Sequence, residues 1–435
     1  MNKLLDKKIN FWNISFAILV VLYYYQVKII GAIGLGEIGM IFWLLISIYS
    51  TGIKVYSDDP QIRLLVIFSL LWFIGVLYAD FNHSVNITST IKLIGSIGVL
   101  VSLMIFMIYR LRKSPIQTII LFFIAIAASQ YFSLIYTTTE VYKGFLLNLT
   151  QEQLYNYYIP YAVNFTVISV IGLTWYLKLK KTAFILTFLS IYLFLYLGSK
   201  NLSLVFIATT SLLVYNFLRA YHVKNKTNSW KFFISFSIFI GVILILIASA
   251  IKILTIPDIP KNAVEQNSLS TIEKGISKIR DIIIPEGSVS RVKQTYAKSN
   301  QIPILLERRH VAQGVYAIVK NPFGYGSTYD VNKYSLIADA NKFLGISIED
   351  PEYVPAHSHI VGAAVYAGIL SIPFWLFMIF INTRIILYNY FDPFLNKFML
   401  FLVPLSLNNM WAIFFSPFAN RILLAFSVGV YIVLL

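Results

Sequence analysis

Apolar runs of about twenty residues, the length needed to cross the hydrocarbon core of a bilayer, recur along almost the whole chain. No other feature constrains the fold as tightly. They fall near 11–30, 33–53, 62–79, 89–109, 116–137, 159–177, 181–198, 201–219, 232–254, 358–383, 394–413 and 417–435. Backbone in lipid must satisfy its own N–H and C=O groups, so runs of this length predict helices. Of 435 residues, 58% are hydrophobic and 12% charged, against about 25% charged in soluble domains. The sequence therefore predicts an all-α polytopic membrane protein with about twelve transmembrane helices. Spans one to nine occupy 1–254, a large, partly helical loop 255–356, and spans ten to twelve 357–435.

The cations set the orientation. Lys3, Lys7, Lys8, Lys54, Arg63, Arg110, Arg112, Lys113, Lys178, Lys180, Lys181, Arg219, Lys224, Lys226, Lys231, Arg384 and Lys397 all fall on one side of the alternating spans. The short loops of the other side offer little beyond Lys28, Lys143 and Lys200. By the positive-inside rule both termini are cytoplasmic and the long loop is outside, with loops 80–88 and 138–158 and the turn at Gly198-Ser199-Lys200. The first span is longer than a signal-peptide core and lacks a small-residue cleavage site, so it reads as a retained helix. The net charge of +16 is dispersed in short inter-span clusters. That pattern belongs to a membrane protein and not to a nucleic-acid-binding surface. The chain has no cysteine, which excludes a disulfide, a thiolate nucleophile and a cysteine-based metal site.

Within the loop, Ser270-Thr271-Ile272-Glu273 has the form of a capping box. Ile272, Ile276, Ile279 and Ile283 then share one face of a short helix suited to the bilayer surface. A second helix is expected from about Arg308 to Lys320, stopped by Asn321-Pro322, and a weaker third over about 335–343. Gly34, Gly36 and Gly39 match a dinucleotide fingerprint but follow no predicted strand and open a span. Close helix packing accounts for them better.

The chemistry-bearing residues gather on the outer side. Glu37, near the outer end of a span, must be paired or wet. His357 and His359 stand where the chain returns to the membrane. On a helix they diverge by about 200°, and no further ligands accompany them, so no metal is expected. His357 is the candidate general base and His359 a weaker one. Arg308 and Arg309 open a helix apolar enough to dock on the spans, and a guanidinium fork suits phosphate. Lys200 lies in a tight turn at the membrane surface, where it either snorkels or meets an anion. Arg291 and Arg421 are weaker candidates on the same side.

Three landmarks carry a resemblance. They are Leu197-Gly198-Ser199-Lys200-Asn201, the pair Arg308-Arg309 running on to Asn321-Pro322-Phe323-Gly324-Tyr325-Gly326, and His357-Ser358-His359 through Gly368. In order and spacing they resemble the bacterial family that unites Wzy-type O-antigen and capsule polymerases with the O-antigen ligases. There they correspond to a Gly-Ser-Arg turn, an arginine helix ending in Asn-Pro-x-x-Gly-x-Gly, and a His-Asn-x-x-Leu run ending in Glu-x-Gly. The departures are Lys200 in place of arginine, a proline turn one residue shorter, no tryptophan after the arginine pair, and Tyr366 in place of glutamate. The shortened turn leaves Arg308 and Arg309 both eligible as the family arginine, with Arg309 preferred.

The resemblance implies a membrane glycosyltransferase that polymerises undecaprenyl-diphosphate-linked oligosaccharide units on the periplasmic face of the bacterial inner membrane. It implies no cofactor. His357 would take the acceptor hydroxyl's proton, and Arg309, Arg308 and Lys200 would stabilise the departing diphosphate. The implied partners are the lipid-linked donor, a glycan acceptor, the bilayer and a chain-length regulator protein. Two alternatives remain. A ligase would pass the glycan to lipid A-core. A lipid-linked oligosaccharide flippase would gather its ionisable residues near the bilayer midplane, where this chain has almost none.

Overall fold

The structure is a computed structural model and describes residues 11–28, 32–52, 58–138, 159–196, 200–225, 309–327, 358–389, 392–415 and 421–435. In chain order the elements begin with α1 (Phe11–Val21), a hairpin of β1 (Gln26–Lys28) and β2 (Ala32–Gly34), α2 (Leu35–Thr51), α3 (Pro60–Asn82) and α4 (Ile87–Lys113). Next come α5 (Pro115–Thr138), α6 (Ile159–Tyr176), α7 (Lys180–Tyr196), α8 (Lys200–Asn225) and α9 (Arg309–Lys320). The last are α10 (His359–Ala367), α11 (Ile372–Tyr388), the single turn α12 (Pro393–Asn396), α13 (Met399–Phe415) and α14 (Arg421–Leu434). Span nine (232–254), the helix expected after Ser270 and that expected over 335–343 lie outside the described residues.

The protein is a helical membrane protein. Among the described residues, Pro60–Asn82 and Ile87–Lys113 are long and apolar enough to cross a bilayer, as is the stretch His359–Tyr388 when its two helical parts are counted together, and seven shorter helices are also apolar. Large aliphatic and aromatic side chains stay exposed in rows, such as Leu70, Ile74 and Phe81 along α3. A protein surrounded by water rarely tolerates such rows.

The chain forms two compact units. One comprises Met1–Ser133, Ile168–Leu177 and Asn300–Leu435, the other Leu134–Val167 and Lys178–Ser299. In the second unit α7 and α8 pack on each other, with Phe194 stacked on Phe206 at 5.1 Å. Their buried hydroxyls, Thr187, Thr209 and Thr210, donate to carbonyls one turn back in the same helix.

In the first unit, polar contacts separate to the two ends of the helices. At the cation-rich end, Asp59 Oδ1 caps α3 by accepting from Gln61 and Ile62, with Pro60 at the first helical position. Its Oδ2 pairs with Arg112 at the close of α4, 2.5 Å away. Arg110 donates to Asn13 at 2.8 Å and lies 5.2 Å over the rings of both Phe16 and Trp43. Trp175 Nε1 donates to the Asn396 carbonyl at 2.8 Å. Between the two ends, Asn409 Nδ2 donates to Ser427 at 2.8 Å and lies 3.3 Å from Asn382 Oδ1. That amide joins α11, α13 and α14 where no water competes. Around it the core is aromatic: Phe122 stacks on Phe426 at 3.9 Å, and Phe123 packs on Phe401 at 4.8 Å.

Two predicted spans differ from the structure. The first, expected over 11–30, ends as an α-helix at Val21 and passes through a 3-10 turn at Leu22–Tyr24 into the hairpin. Gln26 pairs with Gly34 and Lys28 with Ala32. The return strand runs so close that Gly34 and Gly36 lie against the backbone of Tyr23 and Leu19, with no room for a Cβ. Thus a strand does precede Gly34, Gly36 and Gly39. It belongs to an antiparallel hairpin, however, and the glycines serve close packing, with no phosphate cradle. The second difference is the tenth span, expected over 358–383, which is broken.

Candidate functional site

The break is visible in one contact. His359 stacks on Trp375 with ring centroids 5.3 Å apart, whereas sixteen residues of unbroken helix would separate them by about 24 Å. The chain reverses instead at Gly368, whose φ of 69° and ψ of −169° suit glycine alone. Ser358 starts α10, its Oγ accepting from Val361 N at 3.3 Å and donating to the Ile413 carbonyl at 2.9 Å. After the 3-10 turn Gly368–Ser371, α11 descends along α3. Leu370 faces Gly75, Phe374 and Trp375 face Trp72, and Phe377 faces Phe68.

A helix that ends within a membrane protein leaves its last carbonyls without partners. The turn Asn321–Ser327 supplies them. Tyr325 N donates to the Val365 carbonyl at 2.8 Å and Gly326 N to that of Tyr366 at 3.0 Å, while Ile369 N donates back to Pro322 O at 2.8 Å. Asn321 shapes the turn: its Oδ1 accepts from Phe323 N at 3.2 Å and its Nδ2 donates to Gly324 O at 2.6 Å. Gly324 (φ 88°) lies on the backbone of Tyr366 to Gly368, so a side chain there would meet main chain.

The helix expected from Arg308 runs from Arg309 to Lys320. Gly314 packs on Val361 and Val365, and Pro322 reaches Ile369. Contacts that advance together along both chains mean that α9 and α10 are parallel. Counted back from Gly314, the backbone of Arg309 is therefore level with the start of α10, the segment that Ser358 caps.

The joint also rests on the end of α3, through two residues that the sequence reasoning missed. Asp80, 5% exposed, accepts from both Ser327 N and Ser327 Oγ, the latter at 2.7 Å. His83 Nε2 lies 3.1 Å from Gly324 O, and its ring stacks on Tyr325 at 5.9 Å. The Tyr325 hydroxyl donates to the Ala317 carbonyl at 3.1 Å. The signal for Asp80 was present in the sequence: an ionisable residue near the end of an apolar run needs a partner.

Two weaker candidates meet each other. Arg421 pairs with Glu37: its Nη2 donates to Oε2 at 3.1 Å, and its Nε lies 3.0 Å from Oε1. Its Nη1 donates to Ser96 at 3.2 Å, and Glu37 Oε2 also accepts from Gly34 N at 2.8 Å. The Glu37 side chain is 1% exposed. This ion pair ties the hairpin, α2, α4 and α14 together.

His359 stacks on Trp375, and its Nε2 is buried with no hydrogen-bond partner among the described residues. His357, Arg308 and Arg291 lie outside the described residues, as do the side chains of Lys200 and Arg309, which open α8 and α9. No cluster of three or more His, Cys, Asp or Glu suited to a metal occurs among the described residues.

Compared with family models, curated proteins and solved structures, the chain has no match.

Proposed function

We propose that this chain is a membrane glycosyltransferase that polymerises undecaprenyl-diphosphate-linked oligosaccharide units. In this reading it has twelve spans, with both termini in the cytoplasm of a bacterium and the long loop between spans nine and ten on the periplasmic side of the inner membrane. The observation that carries the reading is the joint itself. The turn after the arginine helix closes the break in the segment that follows His357, so two of the three resemblance landmarks form one assembly. The parallel course of α9 and α10 brings the Arg309 backbone level with the capped start of α10. Such an arrangement suits a reaction that needs cations at a departing diphosphate and a base at an incoming hydroxyl a few ångströms away.

The chemistry follows from those roles. His357 accepts the acceptor hydroxyl's proton as the oxygen attacks the anomeric carbon. The bond to the diphosphate breaks, and the charge it leaves is met by Arg309, Arg308 and Lys200. Proton acceptance of this kind contributes roughly 10²–10⁴-fold in rate. A glycan-ladder assay with His357→Ala and Arg309→Ala tests the assignment. A polymerase leaves single repeat units on core, and a ligase leaves polymer stranded on its carrier. Unchanged ladders in both variants would refute the site.

A further inference from the structure

We infer that α9 is embedded in the outer edge of the bilayer, with Val315, Val319 and Phe323 seated among lipid acyl chains. The inference stands whether or not the chain transfers a glycan. Gly314 and Ala317 form the face of α9 that is buried, Gly314 against α10. On the open side Val315 is 48% exposed, Val319 73% and Phe323 55%. Four-residue spacing keeps the two valines on one stripe, and Phe323 continues it past the helix end.

The occupant follows from what this stripe joins. Phe323 packs on Tyr78 at 5.6 Å, and Tyr78 belongs to the exposed row of α3 that includes Leu70, Ile74 and Phe81. That row lies on a helix of 23 residues with the length and hydropathy of a membrane span, so the surface around it is the one lipid covers. From Phe323, α9 runs back toward the start of α10, where His359 stacks on Trp375, itself packed on Trp72 of α3. Trp72 lies near the middle of α3, so α9 keeps to the depth of its outer half and does not rise into water. Beside the stripe, Lys320 Nζ lies 5.5 Å over the Tyr316 ring. An aromatic with a snorkelling lysine is the usual border between acyl chains and headgroups. An apolar stripe with a polar border is what an interfacial helix presents.

The absence of native cysteine makes the test direct. Val315→Cys, Val319→Cys and Phe323→Cys are spin-labelled one at a time in the full chain. Each is reconstituted in vesicles of phosphatidylethanolamine and phosphatidylglycerol. Leu70→Cys on α3 serves as the lipid reference, and Asn86→Cys, exposed at the start of α4, as the water reference. The expected result is an oxygen-to-nickel-chelate accessibility ratio at Val315 and Val319 several-fold above that at Asn86 and close to that at Leu70. Nickel access equal to that at Asn86 would overturn the inference in favour of a water-filled recess. Low access to both reagents would overturn it in favour of a protein-covered face. The three positions are exposed, so at least one labelled variant should fold normally, as judged by its elution in detergent.

Discussion

The joint at Asp80 makes the sharpest prediction, because its strength can be worked out and its opening can be measured. Asp80→Ala removes both acceptors from Ser327. A hydrogen bond to an ionised group contributes about 1.5–3 kcal/mol net. Ser327 is only partly buried, so water recovers some of that in the variant. Between half and all of two bonds at the lower end amounts to about 1.5–3 kcal/mol, or roughly 10- to 100-fold in the opening equilibrium. The reporter is Ala317→Cys, on the inner face of α9 and 3% exposed, with a bulky maleimide as reagent. When opening and closing are fast, modification follows the open population. The Asp80→Ala background should therefore speed modification 10- to 100-fold, and Asp80→Asn, which keeps one acceptor without the charge, should fall between. Equal rates in all three backgrounds would refute the idea that Asp80 holds the turn, and the joint would then rest on its backbone bonds alone.

Two further outcomes follow from single contacts. Arg421→Met leaves the Glu37 carboxylate buried without its cation, a loss of about 3–5 kcal/mol, whereas Glu37→Met with Arg421→Met should restore most of it. Thermal unfolding in detergent checks this, and a double variant no more stable than Arg421→Met would be inconsistent with the ion pair. Gly324→Ala puts a Cβ at a positive φ against the backbone of α10, costing about 1–2 kcal/mol for the conformation and about 1–3 kcal/mol for the overlap. It should speed modification of the same Ala317→Cys reporter at least as much as Asp80→Ala does.

Much of the helical layout was legible in the sequence, because the bilayer length rule and the self-satisfaction of backbone in lipid leave few options. The start of α3 at Pro60, the end of α9 before Asn321-Pro322 and the close of α4 at Arg110-Leu111-Arg112-Lys113 all follow from local chemistry. The break at Gly368 was hidden for a definite reason. Val365 to Leu376 carries no charge and, beside the Tyr366 hydroxyl, only Ser371 as a polar residue, so hydropathy does not separate a span from a helix that doubles back, although Gly368 and Pro373 were local signals of a break. The contact between His359 and Trp375, distant along an unbroken helix, and the positive φ of Gly368 reveal it. The first span misled in the same way: Val27, Ile29, Ile30 and Ile33 extend the apolar run in the sequence, yet Gly34 and Gly36 let the returning chain pack against the backbone of Tyr23 and Leu19. For the site, reading residues singly identified Glu37 and Arg421 but could not show that each is the other's partner. The same rule that singled out Glu37 applied equally to Asp80, near the end of its own run.

The break and the turn that closes it are best understood as one element. An unfilled break would leave the Val365 and Tyr366 carbonyls bare among apolar side chains, at a cost of several kcal/mol each in hydrocarbon. An undocked turn would leave two glycines at positive φ with no contact to fix them, the least favourable place to order a backbone. Each half is stable only in the presence of the other, so residues 321–327 are anchored to 365–369 whatever the rest of the long loop does. Because α9 runs parallel to α10 from that anchor, its first residue has a defined place relative to the Ser358 cap, across a sequence gap of nearly fifty residues. A segment required only to connect two spans has no need of such a device. Under the proposed reading, the same anchor would serve to keep the start of α9 near the residues before α10 while sugars of varied size pass, because positioning within about an ångström governs the rate of such a transfer.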